Sequence, residues 1–352
     1  MDFRRQTKTA RFHDPRQEMA LVEVEHETRF DPLTGESGRI CHFAMDRLPP
    51  VDVAPLAAAT RANCPFCPDA VHTVTPRFAD DLVPGGRLQR GGAVLVPNLF
   101  PYDDYSAIAV MTPQHVLETH DMPAAPIVDS LGLAREFLQR LEQRPQAQTA
   151  GETWYPLISW NHMPPSGGSQ MHPHMQVILT STPTNVQRRR HDAERAWLAQ
   201  HDNPFALDLL AAERGGERWI GESGGISWLA PFRPTGMLGD CQAVFSERSS
   251  FTEIDDDDIA EFASGLQRML KGFAGRGLWS FSLVFFSGTS SNSDGAASQR
   301  LTAQLVPRFY VNPQTHAPDT AFLQLMMGEW ICMTYPEETA ALLRTAWTGK
   351  ER

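Results

Sequence analysis

Asn161-His-Met-Pro-Pro-Ser-Gly-Gly-Ser-Gln-Met-His172-Pro-His174-Met-Gln176 lies between two short apolar runs, Tyr155 to Trp160 and Val177 to Thr180, that read as strands. Alternate side chains of a strand share a face, so the spacing sends His172, His174 and Gln176 to one side. Just upstream, the Ser166-Gly-Gly-Ser169 turn leaves backbone N–H groups uncovered, an arrangement that cradles anions. A nucleophile thus stands beside an anion cradle. A His-x-His pair alone also occurs as a hydrogen-bonded core pair. The glycine turn and the polar Gln176 on the same face favour the functional reading.

From Asn161 through Gly167-Gly168-Ser169 to His172-Pro-His174-x-Gln176 the spacing resembles, without a gap, the active-site signature of the galactose-1-phosphate uridylyltransferase family, a branch of the histidine-triad superfamily. The resemblance implies a covalent route. In that family the second His of His-Pro-His attacks the α-phosphorus of a nucleoside diphosphate sugar and carries the nucleotidyl group. Histidine-triad hydrolases end the motif in a third His, whereas the transferases have Gln, as at Gln176 here. On this reading His174 is the nucleophile, and Gln176 donates to a non-bridging oxygen. Ser169 and the Gly167 and Gly168 amides stabilise the developing charge, and Asn161 belongs to the nucleotide-binding set.

The composition fits a soluble globular chain. At 352 residues it has room for two domains, each with its own core. The 42 acidic residues against 31 basic, a net charge of −11, argue against binding a nucleic-acid polymer; a small anionic ligand would need a local basic pocket. No run of eighteen apolar residues occurs and Met1 to Ala10 lead into no hydrophobic segment, so the expectation is a cytoplasmic protein that does not enter a membrane. Five cysteines form an odd set in a large chain, which favours thiols or a metal site over a disulfide framework.

One cysteine pair has a telling spacing. Cys64-Pro-Phe-Cys67 places two thiols on a tight turn at a bite suited to tetrahedral zinc, with a redox pair or two free cysteines as the alternatives. No second Cys-x-x-Cys exists, so the second half of a site must come from elsewhere, and the candidates are His115 and His172. The resemblance makes these four positions a Cys2His2 zinc site, structural in role.

Further matches lie outside the motif. Arg29-Phe-Asp-Pro-Leu-Thr-Gly-Glu36 is a turn signal that also looks like the family's Arg-Tyr-Asn-Pro-Leu-Thr-Gly segment. The family's next arginine-rich segment corresponds to Phe43 to Pro49, where Arg47 keeps the second arginine and is the expected holder of the leaving phosphate. Asn98 matches a family asparagine that touches the nucleoside. Asp103 and Asp104 nearby read either as added contacts or as a solvated turn. Pro336-Glu-Glu-Thr-Ala-Ala-Leu-Leu-Arg resembles the family's ending.

The order of elements recurs along the chain. Apolar spacing predicts a helix over 126–143 between strands at 91–96, 107–111 and 155–160; a second helix over 255–273 stands between strands at 226–232, 242–246 and 279–286, with another strand at 301–306. Asp255 to Asp258 sit at the positive end of the second helix, which makes them a capping feature rather than a metal site. The fold expected is α+β, two tandem histidine-triad-like repeats, each an antiparallel sheet with a packed helix. Residues 1–28 form an amino-terminal arm, 29–184 the first domain with the motif and zinc, 185–218 a connection, and 219–352 a degenerate second domain. Arg188-Arg-Arg190 within the connection reads as a solvated helix face.

The second repeat lacks the motif. The family's second metal, assigned to iron, needs histidines where this chain has Phe286 or Ser287, Thr302 and Gln304, so no iron is expected. The family's hexose-contacting stretch is also absent, its nearest counterpart being Gln324 to Trp330. The function expected is transfer of a nucleoside monophosphate from a nucleotide sugar to a phosphorylated acceptor, with a substrate other than galactose. Alternatives are a phosphorylase or hydrolase of nucleotide sugars or dinucleoside polyphosphates, and a non-catalytic nucleotide-binding protein. The family suggests a homodimer.

Overall fold

The two strands flanking the motif pair with each other and sit near the middle of a wide antiparallel sheet. A computed structural model of the chain describes residues 1–41, 47–144, 153–289 and 296–349. In chain order the first strands are β1 (Arg5–Asp14), β2 (Ala20–Phe30), β3 (Ser37–Ile40), β4 (Leu88–Arg90), β5 (Ala93–Pro97), β6 (Tyr105–Val110), β7 (Tyr155–His162) and β8 (His174–Thr180). The later ones are β9 (Trp219–Ser223), β10 (Ile226–Leu229), β11 (Cys241–Phe245), β12 (Ser280–Phe286), β13 (Thr302–Arg308), β14 (Tyr310–Asn312), β15 (Ala317–Pro318) and β16 (Trp330–Cys332). The helices are α1 (Ala54–Arg61), α2 (Val71–Val74), α3 (Ala124–Glu142), α4 (Asn185–His201), α5 (Phe205–Glu213), α6 (Asp256–Ala274), α7 (Phe322–Met327) and α8 (Pro336–Thr348). Among the described residues no helix is long and apolar enough to cross a membrane.

Ten strands form the main sheet in the order β4-β5-β6-β8-β7-β12-β13-β11-β10-β9. Outward from the β7/β12 seam the strands succeed one another as β8, β6, β5, β4 on one side and as β13, β11, β10, β9 on the other. The long helix of each half leads into the strand at the seam, α3 joining β6 to β7 and α6 joining β11 to β12. Both helices arise where the apolar spacing predicts them. Ile127, Leu131, Leu138 and Leu141 of α3 and Ile259, Phe262, Leu266 and Leu270 of α6 are all buried. Asp255 caps α6, accepting from the Asp258 N–H in a reciprocal capping box, so the acidic run serves the helix terminus.

Both helices cover the same face of the sheet. Met175, Val177, Leu179, Ile158 and Trp160 from the first half and Phe281, Leu283, Phe285, Ala303 and Leu305 from the second join them in one continuous core. The opposite face receives the alternate residues. Register places Gln176, Ser159, Val284, Gln304 and Gln242 in a single row across five strands of that face. The motif side chains and part of the second half therefore look out from one surface.

Residues 1–28 depart from the irregular arm expected. β1 and β2 pair along their whole length, from Arg5↔Arg29 to Asp14↔Ala20, and β2 continues onto β3, which takes β16 in parallel. The strands leave no alternating pattern in the sequence because β1 is exposed on both faces until Asp14. The root of the hairpin is tied down by Arg29, 1% exposed, whose Nη1 and Nη2 donate to Glu337 at 2.8 and 3.1 Å while Nε donates to Glu27 at 2.8 Å. The Arg29 segment and the Pro336 tail, three hundred residues apart in the resemblance, thus meet in the fold. Asp31 closes the following turn, accepting from the N–H groups of Leu33 and Thr34.

Candidate active site

Strand alternation puts His174, Gln176 and Ile178 of β8 on the outer face and Met175, Val177 and Leu179 in the core. His174 is 9% exposed. Its Nδ1 lies 2.8 Å from the His172 carbonyl oxygen, which can only accept, so Nδ1 carries the hydrogen and Nε2 keeps its lone pair. Burial holds the His174 pKa below the ordinary 6.5, against the carbonyl contact that acts to raise it. The result is a neutral imidazole of fixed tautomer. The Phe66 ring, with centroid 5.2 Å from that of His174, closes the site on the Cys64–Cys67 side.

The glycine turn supplies amides, with one change from expectation. The Gly167 N–H donates to the Pro164 carbonyl at 2.9 Å, closing the turn rather than facing a ligand. Among the described residues the Gly168 and Ser169 amides have no backbone partner, and they remain as donors. Gly167 adopts φ +87°, a left-handed conformation that suits glycine. At Gly168 a Cβ would stand 3.1 Å from the Asn161 carbonyl oxygen, so the turn folds tightly back on the end of β7. Ser169 and Asn161 are exposed, and Gln176 is half-buried.

Two expected nucleotide contacts lie farther off. Asn98 follows β5, two strands from β8, and accepts from the Phe100 N–H at 3.0 Å through its side-chain oxygen, so its carboxamide shapes a local turn. Asp103 likewise accepts from the Asp104 N–H at 2.9 Å. Arg47 is exposed, and its neighbour Leu48 is bound to the Arg276 carbonyl beyond α6 at 2.9 Å. No contact among the described residues joins Arg47 to His174. Phe43 to Asp46 of the same segment lie outside the described residues.

Cys64, Cys67, His115 and His172 do come together. Their ligand atoms all lie within 4.8 Å of one another, and all four residues are buried. His115 Nδ1 is 3.4 Å from Cys67 Sγ, and His172 Nδ1 is 3.6 and 3.8 Å from Cys64 and Cys67 Sγ. A four-coordinate ion with Zn–S and Zn–N bonds of ordinary length implies edges of roughly 3.3–3.8 Å between its ligands, so the spacing suits such an ion. The imidazoles are poised for it. His172 Nε2 donates to the Thr112 carbonyl at 2.7 Å, while His115 Nε2 lies 3.1 Å from Thr60 Oγ1, whose own hydrogen goes to the Leu56 carbonyl. Each Nδ1 is therefore free to bind metal. Burial drives the His172 pKa down to about 4 and lowers that of His115, keeping both neutral.

The candidate metal cluster and His174 are joined through one residue. His172 offers Nδ1 to the cluster and its carbonyl to His174 Nδ1, so whatever fixes His172 also aims His174. Thr60, Thr112 and Phe66 were not visible as site residues in the sequence. Phe66, inside Cys-x-x-Cys, and Thr112, three residues before His115, had positional cues. In the second half, Arg190 Nη2 donates to Thr302 Oγ1 at 3.2 Å and its guanidinium lies 4.4 Å from the Phe286 ring centroid. This arginine of the polar tract turns inward instead of joining a solvated face.

No protein-family model matches the sequence. An uncharacterized protein of Archaeoglobus fulgidus is 25% identical over 349 residues, 99% of either chain. Solved structures are similar over nearly the whole fold. An ADP-glucose phosphorylase of Arabidopsis thaliana with bound ADP-glucose has a TM-score of 0.69 at 16% identity, covering 91% of this chain and 98% of that one. A uridylyltransferase has a TM-score of 0.64 at 21% identity, covering 92% and 99%. The chain thus has the α+β fold shared by these two enzymes. The resemblance drawn from the His-Pro-His motif holds at the level of that fold.

Proposed function

We propose that the chain is a nucleotidyltransferase of the uridylyltransferase type, moving a nucleoside monophosphate from a nucleoside diphosphate sugar to a phosphorylated acceptor through a covalent His174 intermediate. His174 Nε2 attacks the α-phosphorus; the new N–P bond forms as the bridging α–β P–O bond breaks, and the sugar phosphate leaves with the electron pair. An acceptor phosphate oxygen then attacks the same phosphorus, and the N–P pair returns to Nε2. Gln176 donates to a non-bridging oxygen, with the amides of Gly168 and Ser169 and the Ser169 hydroxyl opposite. Asn161, Asn98 and Arg47 complete the ligand contacts. Residues 29–184 form the catalytic half and 219–352 the half without the motif.

The observation that carries this reading is the hydrogen bond from His174 Nδ1 to the His172 carbonyl, which leaves a neutral, buried Nε2 on the face shared with Gln176. Cys64, Cys67, His115 and His172 would hold zinc, whose contribution is to brace the backbone on which His174 stands. A phosphorylase, with inorganic phosphate as acceptor, is the second reading, favoured by the TM-score of 0.69 to an ADP-glucose phosphorylase. Both share the first half-reaction. Intact-mass detection of a nucleotidyl group on His174 tests that half, and release of the group by phosphate against a sugar phosphate separates the two.

A further inference from the structure

α1 stands beside the candidate metal cluster with little apolar contact to hold it. No residue of this eight-residue helix is buried. Helices so short are marginal in water and ordinarily depend on packing an apolar face, which α1 lacks. A cleft of about 430 Å³ lies between Ala57, Ala58 and Arg61 of the helix and Gln114, His115 and Val116 of the body. The two ends of α1 are tied locally. At its start the Asp52 carboxylate accepts from the Ala54 N–H at 2.9 Å, and at its end the Cys64 N–H donates to the Arg61 carbonyl at 3.2 Å. The helix therefore runs directly into the Cys-x-x-Cys turn.

One side chain of α1 reaches across to the body. Thr60 Oγ1 lies 3.1 Å from His115 Nε2, while its own hydrogen goes to the Leu56 carbonyl at 2.9 Å or the Ala57 carbonyl at 3.3 Å. Oγ1 must then accept from the His115 Nε2–H. Among the described residues no other hydrogen bond joins an α1 side chain to another element. The Ala57 carbonyl adds a second contact to the same imidazole. The other ring nitrogen, Nδ1, is 3.4 Å from Cys67 Sγ, within the cluster. One imidazole thus faces the helix with one nitrogen and the metal position with the other. A cation on Nδ1 draws charge from the ring and makes Nε2–H a stronger donor, so metal binding tightens the contact with Thr60. At the far end the Leu48 N–H donates to the Arg276 carbonyl at 2.9 Å, so the segment that carries Arg47 runs from that fixed point through α1 to the cluster.

We infer that Thr60 is a positioning residue that couples α1 to the metal cluster, so that metal binding and docking of the helix reinforce each other. The coupling is reciprocal: the factor by which metal favours the docked helix is the factor by which the docked helix tightens metal binding. The inference rests on the metal reading of the cluster and stands apart from nucleotidyl transfer. The test strips the full-length chain with a chelator and restores zinc alone, following hydrogen–deuterium exchange over 54–62 and zinc affinity by competition with a chelating dye. Saturating zinc is expected to slow exchange over 54–62 about tenfold in wild type and in Thr60→Ser, which keeps the hydroxyl, but less than about twofold in Thr60→Val. Threonine and valine have similar helix propensities, so the comparison isolates the hydroxyl. Thr60→Val is expected to bind zinc roughly 10–100-fold more weakly than wild type, and Thr60→Ser to restore most of that affinity. Should Thr60→Val fail to fold, Thr60→Ala is expected to lose the zinc-dependent slowing although alanine favours the helix. Equal slowing in wild type and the variants that lack the hydroxyl, or zinc affinity unchanged by them, overturns the inference and leaves the metal site standing. A wild-type chain that binds no zinc overturns the metal reading and this inference with it.

Discussion

Glu194 offers a quantitative check on the packing of α4 over the second half of the sheet. It is 5% exposed, with Arg190 Nη2 at 3.6 Å as its ion-pair partner. Burial outweighs the guanidinium and pushes the carboxyl up to about 7 from the ordinary 4.5. The folded chain therefore holds a proton that the unfolded chain gives up in this interval. Its stabilising contribution is complete below pH 4.5 and is lost as pH rises through 7, a change of about 3 kcal/mol. His191, the other titratable group packed there, is held down at about 4 by burial and so stays neutral through most of the window. Glu194→Gln mimics the protonated form at every pH. Urea unfolding of wild type and variant at pH 4.5 and 8 should show the variant gaining about 3 kcal/mol relative to wild type between the two. A difference that does not change with pH, or one that moves toward wild type at pH 8, refutes the reasoning.

Two further outcomes follow from the metal cluster and the Arg29 pair. Cys67→Ser should reduce bound zinc from one per chain to none by elemental analysis and lower the melting temperature; undiminished zinc would place the ion elsewhere. Glu337→Ala leaves the guanidinium of Arg29 buried with Glu27 as its remaining carboxylate. Breaking a buried pair costs about 3–5 kcal/mol, and the surviving Glu27 contact should bring this toward the lower end, read as a shift in urea midpoint. An unchanged midpoint would show that Glu337 is dispensable.

The sequence revealed most where chemistry and periodicity coincide. His174 and Gln176 could be assigned to strand positions because period-two alternation is local, whereas His172 lies in the bend before β8, and α3 and α6 could be assigned because their apolar stripes face a core. Cys64, Cys67 and His172 were legible from Cys-x-x-Cys and the motif and His115 from the family resemblance, although it took the fold to bring His115 within 3.4 Å of Cys67. Other features left no such trace. The β1/β2 hairpin is solvated on both faces along most of β1 and so carries no binary pattern. Arg190 looks like its neighbours Arg188 and Arg189 in sequence, and only the crossing of α4 over Thr302 and Phe286 turns it inward. The role of the Gly167 amide depends on the turn closing back on Pro164, a hydrogen bond the residue type does not specify.

The central claim is that His174 becomes covalently nucleotidylated. Intact-protein mass spectrometry after brief mixing with UDP-glucose, ADP-glucose and other nucleoside diphosphate sugars, wild type beside His174→Gly, tests it most directly. The account predicts a mass increase of one nucleoside monophosphate with at least one donor, present in wild type and absent from the variant, and discharged on adding phosphate or a sugar phosphate. Turnover of a donor without any adduct, or an adduct that persists in His174→Gly, would contradict it.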